Sequence, residues 1–237
     1  MTTLRASALA ALDDPVFFAD MIASIARGAE IVASDTDGVV LLTSDGTILL
    51  ASHDAEATSR QLDLVDQLRL DQPYIVTHND DSKAVVANRY NYSWLTPCWS
   101  AAFLGESFPA KPTDIDIRQL ADDQIDEVIT TYDLNGPDYI RQRFADKAMF
   151  GAWREDQLLG YIGTHAQGAM GLLYVFPSFR HQGVAEALVC DLGNRLLAAG
   201  HRPYDHIVVG NDASDHLQRK LGFTISTRQL CWLSAGR

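Results

Sequence analysis

The chain has 237 residues, 47% of them hydrophobic, with 31 acidic against 19 basic side chains and a formal net charge of −12 with histidine neutral. That length holds one large domain or two small ones, and the apolar share is ample for buried cores. The acidic excess argues against nucleic acid and anionic membranes as partners, and leaves a soluble surface with a modest bias toward cationic small molecules.

Cys98, Cys190 and Cys231 are widely spaced and have no histidine at ligand distance, so neither a disulfide framework nor a metal site is expected. Cys190 falls on a packed-helix pattern and Cys231 in a terminal strand, and both read as small core side chains. No window is apolar enough to span a membrane. The start Met1-Thr2-Thr3-Leu4-Arg5 lacks the apolar run of a secretion signal, so a cytoplasmic location is expected.

Leu9, Leu12, Val16, Phe17, Met21, Ile22 and Ile25 mark one or two helices broken near Pro15. Short β-rich runs follow at Ile31–Ala33, Val39–Leu42 and Ile48–Ala51. Asp37-Gly38 and Asp45-Gly46 separate them, which predicts an antiparallel meander. Helical spacing returns at Ala55–Leu68, a strand is expected at Tyr74–Thr77, a short helix at Ser82–Tyr90, and a strand at Cys98–Leu104. Between Gly105 and Thr113 the Gly, Ser, Pro and Lys composition punctuates rather than packs. The expected organisation is an N-terminal α+β domain over 1–105, for the acceptor cleft or dimerisation, a linker over 106–113 and a second domain over 114–237.

After the linker, Ile115–Arg118 reads as a strand and Asp122 begins a helix carrying Ile125, Val128 and Ile129. Asn135-Gly136-Pro137 starts another helix, with Tyr139, Ile140 and Phe144. Strands are expected at Ala148–Arg154, Leu158–His165 and Met170–Phe176, and a further strand at Asp205–Val209. A helix over Asp212–Leu221 and the strand pair Phe223–Ser226 and Gln229–Leu233 complete the chain.

The most informative stretch runs from Gly171 to Ala187. The apolar run Gly171-Leu172-Leu173-Tyr174-Val175-Phe176 is stopped by Pro177. Then come Arg180, His181, Gln182, Gly183, Val184 and Ala185, leading into Ala187, Leu188, Leu192 and Leu196 at helical steps. A helix starting near Gly183 offers unpartnered N–H groups and the positive end of its dipole, so an anion is its natural occupant. Gly183 and Ala185 are small enough to let a diphosphate reach the main chain. Downstream, Asn211-Asp212-Ala213-Ser214 precede Lys220-Leu221-Gly222-Phe223.

Together these two stretches resemble the signatures of the GNAT superfamily of acyl-CoA-dependent N-acyltransferases: R-x-x-G-x-A after a strand, and an Asn before a helix closing in a Lys-Leu-Gly-Phe turn. The order of elements over roughly Ile115–Leu233 resembles the complete GNAT fold. The resemblance implies a mixed α+β protein whose C-terminal GNAT domain has a mostly antiparallel central sheet flanked by helices, beside an N-terminal α+β domain that loosely echoes it. His165, Gly168, Met170, Gly171, Leu172, Val175, Pro177 and Arg180 are similar to the glycine N-acyltransferase-like branch. Cys98-Trp99-Ser100-Ala101 resembles the end of an extra N-terminal domain in some of its bacterial members. Two positions depart from that branch, with Gln167 where Glu is common and Ala169 where Ser is common.

The resemblance implies acetyl-CoA or another acyl-CoA as co-substrate, no metal, and a small-molecule or amino-acid-like amine as acceptor. Transfer is expected to be direct, in a ternary complex. A homodimer is left open. CoA is expected on the Leu173-Tyr174-Val175 strand, the turn of Arg180, His181, Gln182, Gly183, Val184 and Ala185, and on Asn211 and Ser214. The carbonyl-polarising N–H is expected near Val175. Arg180 reads either as a charge-assisted contact or as a surface residue closing the turn, and Ser214 either as a sulfur contact or as a helix-start residue. Gln218 stands where many relatives have Tyr, and it cannot protonate a thiolate. For the amine's proton His165 is the candidate, on the face of Tyr161 by strand alternation, against a hairpin histidine capping a carbonyl. Asp205 and Glu186 are weaker rivals. The alternative to an enzyme is a non-catalytic acyl-CoA-binding or sensing module.

Overall fold

The computed structural model describes residues 2–109 and 114–236. In chain order the elements are α1 (Thr2–Ala11), α2 (Ala19–Ala26), β1 (Glu30–Asp35), β2 (Gly38–Leu42), β3 (Ile48–Ser52), α3 (Ala55–Gln67), β4 (Ile75–Thr77), α4 (Asp80–Tyr90) and β5 (Trp94–Phe103). They continue with β6 (Asp116–Gln119), α5 (Ile125–Thr131), α6 (Pro137–Ala145), β7 (Met149–Arg154), β8 (Gln157–Thr164), β9 (Met170–Val175), α7 (Val184–Ala198), β10 (Tyr204–Val208), α8 (Asp212–Lys220) and β11 (Phe223–Ser234). Residues 1–102, 206–219 and 223–237 form one compact unit, and 103–205 with 220–222 form another.

The first unit carries a seven-stranded sheet in the order β1-β2-β3-β4-β11-β5-β10. β1, β2 and β3 pair antiparallel, as the two turn signals predict, and β3 pairs parallel with β4. Strand alternation splits the core between two faces. Val39, Leu41, Leu49, Val76 and Leu230 face Ala8, Leu12, Phe17, Met21 and Ile25 of the first two helices and the segment joining them. Val40, Ile48, Leu50, Ile75, Cys231 and Leu233 face Leu62 and Val65 of α3 and Val86 of α4. Helix starts are set locally: Asp54 accepts from Ala57 N–H at 2.8 Å ahead of α3, and Asn79 accepts from Asp81 N–H at 2.8 Å ahead of α4.

The second unit carries a four-stranded antiparallel sheet in the order β6-β7-β8-β9. On one face Leu120, Met149, Tyr161 and Leu172 pack with Val128 of α5 and Ile140 and Phe144 of α6. Helix α7 packs against all four strands.

Three expectations differ from this arrangement. A single domain over 114–237 was expected, but β11 pairs with β4 through Cys231–Thr77, Trp232–Val76 and Leu233–Ile75, so the end of the chain completes the first unit's sheet. The terminal strand pair is one strand, Phe223–Ser234, and within it Ser226 Oγ accepts from Arg228 N–H at 3.0 Å. The linker also packs. Phe108 is buried, its N–H donates to Asn194 Oδ1 at 2.8 Å, and its ring fills the space a Cβ on Gly193 of α7 would need, at 2.3 Å. Residues 110–113 of the expected linker lie outside the described residues.

Candidate functional site

Among the described residues strand β9 pairs in its sheet with β8 alone, which makes it an edge strand. Tyr161 pairs with Tyr174 and Gly163 with Gly171, which leaves Ile162 opposite both Leu172 and Leu173. This is a β-bulge. Leu172 adopts φ +53°, a left-handed conformation that costs a leucine about 1 kcal/mol, and its buried side chain anchors the distortion in the core. Leu173, Tyr174 and Val175 are half-buried beyond it. A bulge turns a main-chain group out of the ladder, and here it falls earlier on the strand than Val175. The Val175 carbonyl is already engaged: Arg180 Nε donates to it at 3.1 Å, with the guanidinium 5.9 Å from the centre of the Tyr174 ring.

Between β9 and α7 the chain passes through a 3-10 turn at Pro177–Phe179 and then reverses with His181 at φ +58° and Gly183 at φ +79°. The first helical bond is Ala187 N–H to Gly183 O, 2.9 Å. The N–H groups of Val184, Ala185 and Glu186 therefore have no carbonyl one turn back, and the dipole adds positive character there. None of the described residues lies within 4 Å of a Cβ built on Gly183, so the space they leave beside the turn is open. Gln182 Nε2 donates to Ser178 O at 3.0 Å, while His181 is exposed. Glu186 is paired with Lys220 at 2.5 Å, which gives it a surface ion pair rather than a free base.

His165 ends the β8–β9 hairpin. Its Nδ1 lies 2.8 Å from the Tyr139 hydroxyl on α6, and that same oxygen accepts from Ala166 N–H at 3.3 Å. The same unit holds further phenols. Tyr161, wholly buried, shares a hydrogen bond with Thr131 at 2.8 Å, and burial pushes its hydroxyl up to about 12. Tyr132 is raised too, first by burial and then by the charge of Asp205, against a favourable contact with the Leu172 main chain. Sequence reasoning missed Tyr139, Tyr132 and the bulge. The signal available was Gly163 and Gly171 inside two strand patterns, since glycines there mark bulges or close approaches.

Asn211 and Ser214 belong to the first unit. Asn211 Oδ1 accepts from Ser214 N–H at 3.1 Å and so caps α8, while the Ser214 side chain is half-buried. Gln218 on the same helix is buried. Gln167 is buried in the hairpin, and its carbonyl accepts from the Tyr204 hydroxyl at 2.9 Å. All three cysteines are buried, and burial pushes the Cys190 thiol up to about 11, with Glu186 adding to it. Among the described residues no group of three His, Cys, Asp or Glu side chains could hold a metal ion, and no helix is long and apolar enough to cross a membrane.

Residues 150–233, roughly a third of the chain, match the family model described as FR47-like protein. No curated protein matches the chain. Among solved structures it is similar to a Drosophila protein from structural genomics, with a TM-score of 0.63 and 18% identity over 83% of this chain and 73% of that one. It is similar also to a GCN5-related N-acetyltransferase from Kribbella flavida, with a TM-score of 0.57 and 11% identity over 91% and 93% of the two chains. A GCN5-related N-acetyltransferase from Sphaerobacter thermophilus gives a TM-score of 0.54 and 14% identity over 98% of this chain and 91% of that one. These likenesses establish the fold, which is that of the GNAT-type acetyltransferases.

Proposed function

We propose that the chain is an N-acyltransferase that moves an acetyl or other acyl group from CoA to a small amine in a ternary complex. The observation that carries the reading is the Gly183 turn, an open helix start placed directly after a bulged edge strand. The diphosphate of CoA is held by the N–H groups at the start of α7, and Arg180 braces the turn against Val175. The pantetheine arm lies along β9 as an added strand would. The amine nitrogen attacks the thioester carbonyl, the C–S bond breaks, and the thiolate takes a proton. Holding the two reactants together supplies several kcal/mol of the barrier. An amine of pKa about 10 is mostly charged at neutral pH, and the His165 imidazole takes its proton. A membership in the glycine N-acyltransferase-like branch fits the hairpin residues.

The buried amides Gln167 and Gln218, where relatives carry Glu and Tyr, favour a second reading, a CoA-binding module without turnover. Calorimetry with CoA and thiol release over a panel of amines separate the two. Release above background with any amine supports the enzyme, binding without release supports the module, and absence of binding overturns both.

A further inference from the structure

The His165 imidazole is held from two sides by residues of its own unit. On one side is the Tyr139 hydroxyl, 2.8 Å from Nδ1. On the other is Gly171, where an added Cβ would meet Nε2 at 2.4 Å and Cδ2 at 2.7 Å, so the ring occupies a notch that only glycine leaves. The hairpin does not need the ring to close it. Main-chain bonds do that, from His165 N–H to Ala169 O at 2.8 Å and from Gly168 N–H to His165 O at 2.9 Å. We propose that Tyr139 is the positioning residue for His165, fixing the neutral ring's proton on Nε2 and directing proton uptake to Nδ1. This deepens the acyltransferase reading and rests on it.

The proposed proton placement is consistent with the donors and acceptors at the Tyr139 oxygen. Ala166 N–H can only donate, so the Tyr139 oxygen accepts there. In the proposed placement the phenolic proton is directed at Nδ1 of the neutral imidazole, and the ring's own proton is then on Nε2. When the acceptor ammonium loses its proton, that proton enters at the phenol oxygen as the phenolic proton passes to Nδ1. The products are a neutral amine, an imidazolium and a tyrosine unchanged in charge. The imidazolium then releases its proton to the leaving thiolate or to water. Among the described residues the charged and titratable groups near the pair include Arg143, whose guanidinium lies 5.4 Å from the Tyr139 ring centre and pairs with Asp146 at 2.5 Å, and Tyr132 with Asp205.

The test uses the full chain as wild type, Tyr139→Phe, His165→Ala and the double variant. Nitrogen-15 NMR of the His165 ring should show the Nε2–H tautomer in the wild type and a loss of that bias in Tyr139→Phe. CoA affinity by calorimetry should stay within about twofold in all four. Tyr139→Phe should lower amine turnover by about tenfold at neutral pH, with the deficit shrinking as pH rises, and the double variant should be no worse than His165→Ala alone. A wild-type ring protonated on Nδ1, losses that multiply in the double variant, or an unchanged pH profile in Tyr139→Phe would each overturn the proposal. Wild-type protein that binds CoA but releases no thiol overturns the acyltransferase reading instead, and the catalytic meaning of the dyad goes with it.

Discussion

Arg180 Nε donates to the Val175 carbonyl at 3.1 Å, tying the first residue of the turn to the last residue of β9. The bond links the turn to the edge strand, and Gly183 closes the turn at φ +79°. Gly183→Glu is expected to abolish measurable CoA binding, because it puts bulk and negative charge into the open space beside the helix start. Arg180→Ala should weaken binding by about tenfold, the worth of one charge-assisted bond. Calorimetry with CoA checks both, and an unchanged affinity in the glutamate variant would remove the diphosphate from this turn.

Gly171→Ala is expected to expel the His165 ring from its notch, since the new methyl group overlaps Nε2. The hairpin should lose about 1–3 kcal/mol of stability, the usual cost of an overpacked site. Turnover should fall at least as far as in Tyr139→Phe, while CoA affinity holds because the turn is untouched. A variant with full turnover and normal melting would show that the ring has room to move and that the notch is incidental.

What the sequence disclosed were features written in adjacent residues. The β2–β3 alternation, the Asp-Gly turns and the R-x-x-G-x-A segment each carry their signal within one element. The unread features join distant positions. The Tyr139–His165 pair spans 26 residues and the β11–β4 ladder joins the chain's end to its first third, and neither leaves a periodic mark. The bulge fell on Leu172, and nothing local marks a leucine for a left-handed conformation; tertiary packing decides it. Phe108 was hidden in a stretch whose Gly, Ser and Pro content reads as a linker, although one aromatic was enough to dock it on Gly193.

A fragment of residues 106–237 is expected not to fold cooperatively. Leu230, Cys231 and Leu233 of β11 are buried in the first unit's two cores, and Cys231 to Leu233 pair with β4, which the fragment lacks. Exposing that strand creates an unpaired apolar edge prone to association. Size-exclusion chromatography and a thermal melt are the readouts, and co-expression with residues 1–105 should restore a sharp transition. A monomeric fragment with its own sharp melt would contradict this grouping of the chain.

The last prediction concerns a buried charge network in the first unit. Asp20 is wholly buried, with His78 Nε2 at 2.9 Å from Oδ1, Met21 N–H donating to Oδ1 at 2.8 Å, and His206 Nε2 at 3.6 Å from Oδ2. Trp232 Nε1–H donates to His206 Nδ1 at 3.0 Å, so that nitrogen is an acceptor and the ring is the neutral Nε2–H form. Burial alone would raise the Asp20 carboxyl, but the facing His78 and His206 outweigh it and hold it below the usual range. Burial pushes His206 down to about 4, against the pull of Asp20. Below its ordinary value of about 6.5 the unfolded chain's His206 takes a proton that the native ring refuses, so stability is full above that pH and falls between pH 6.5 and 4. The loss from this residue is on the order of 3 kcal/mol by pH 4. Asp20 adds a second loss at lower pH, once its depressed carboxylate is protonated. Urea unfolding across pH 4 to 8 should show the slope in the wild type, and His206→Gln should flatten it while lowering stability at pH 7 through the lost Trp232 bond. Equal slopes in the two proteins would mean that His206 is not held neutral and that the acid sensitivity lies elsewhere.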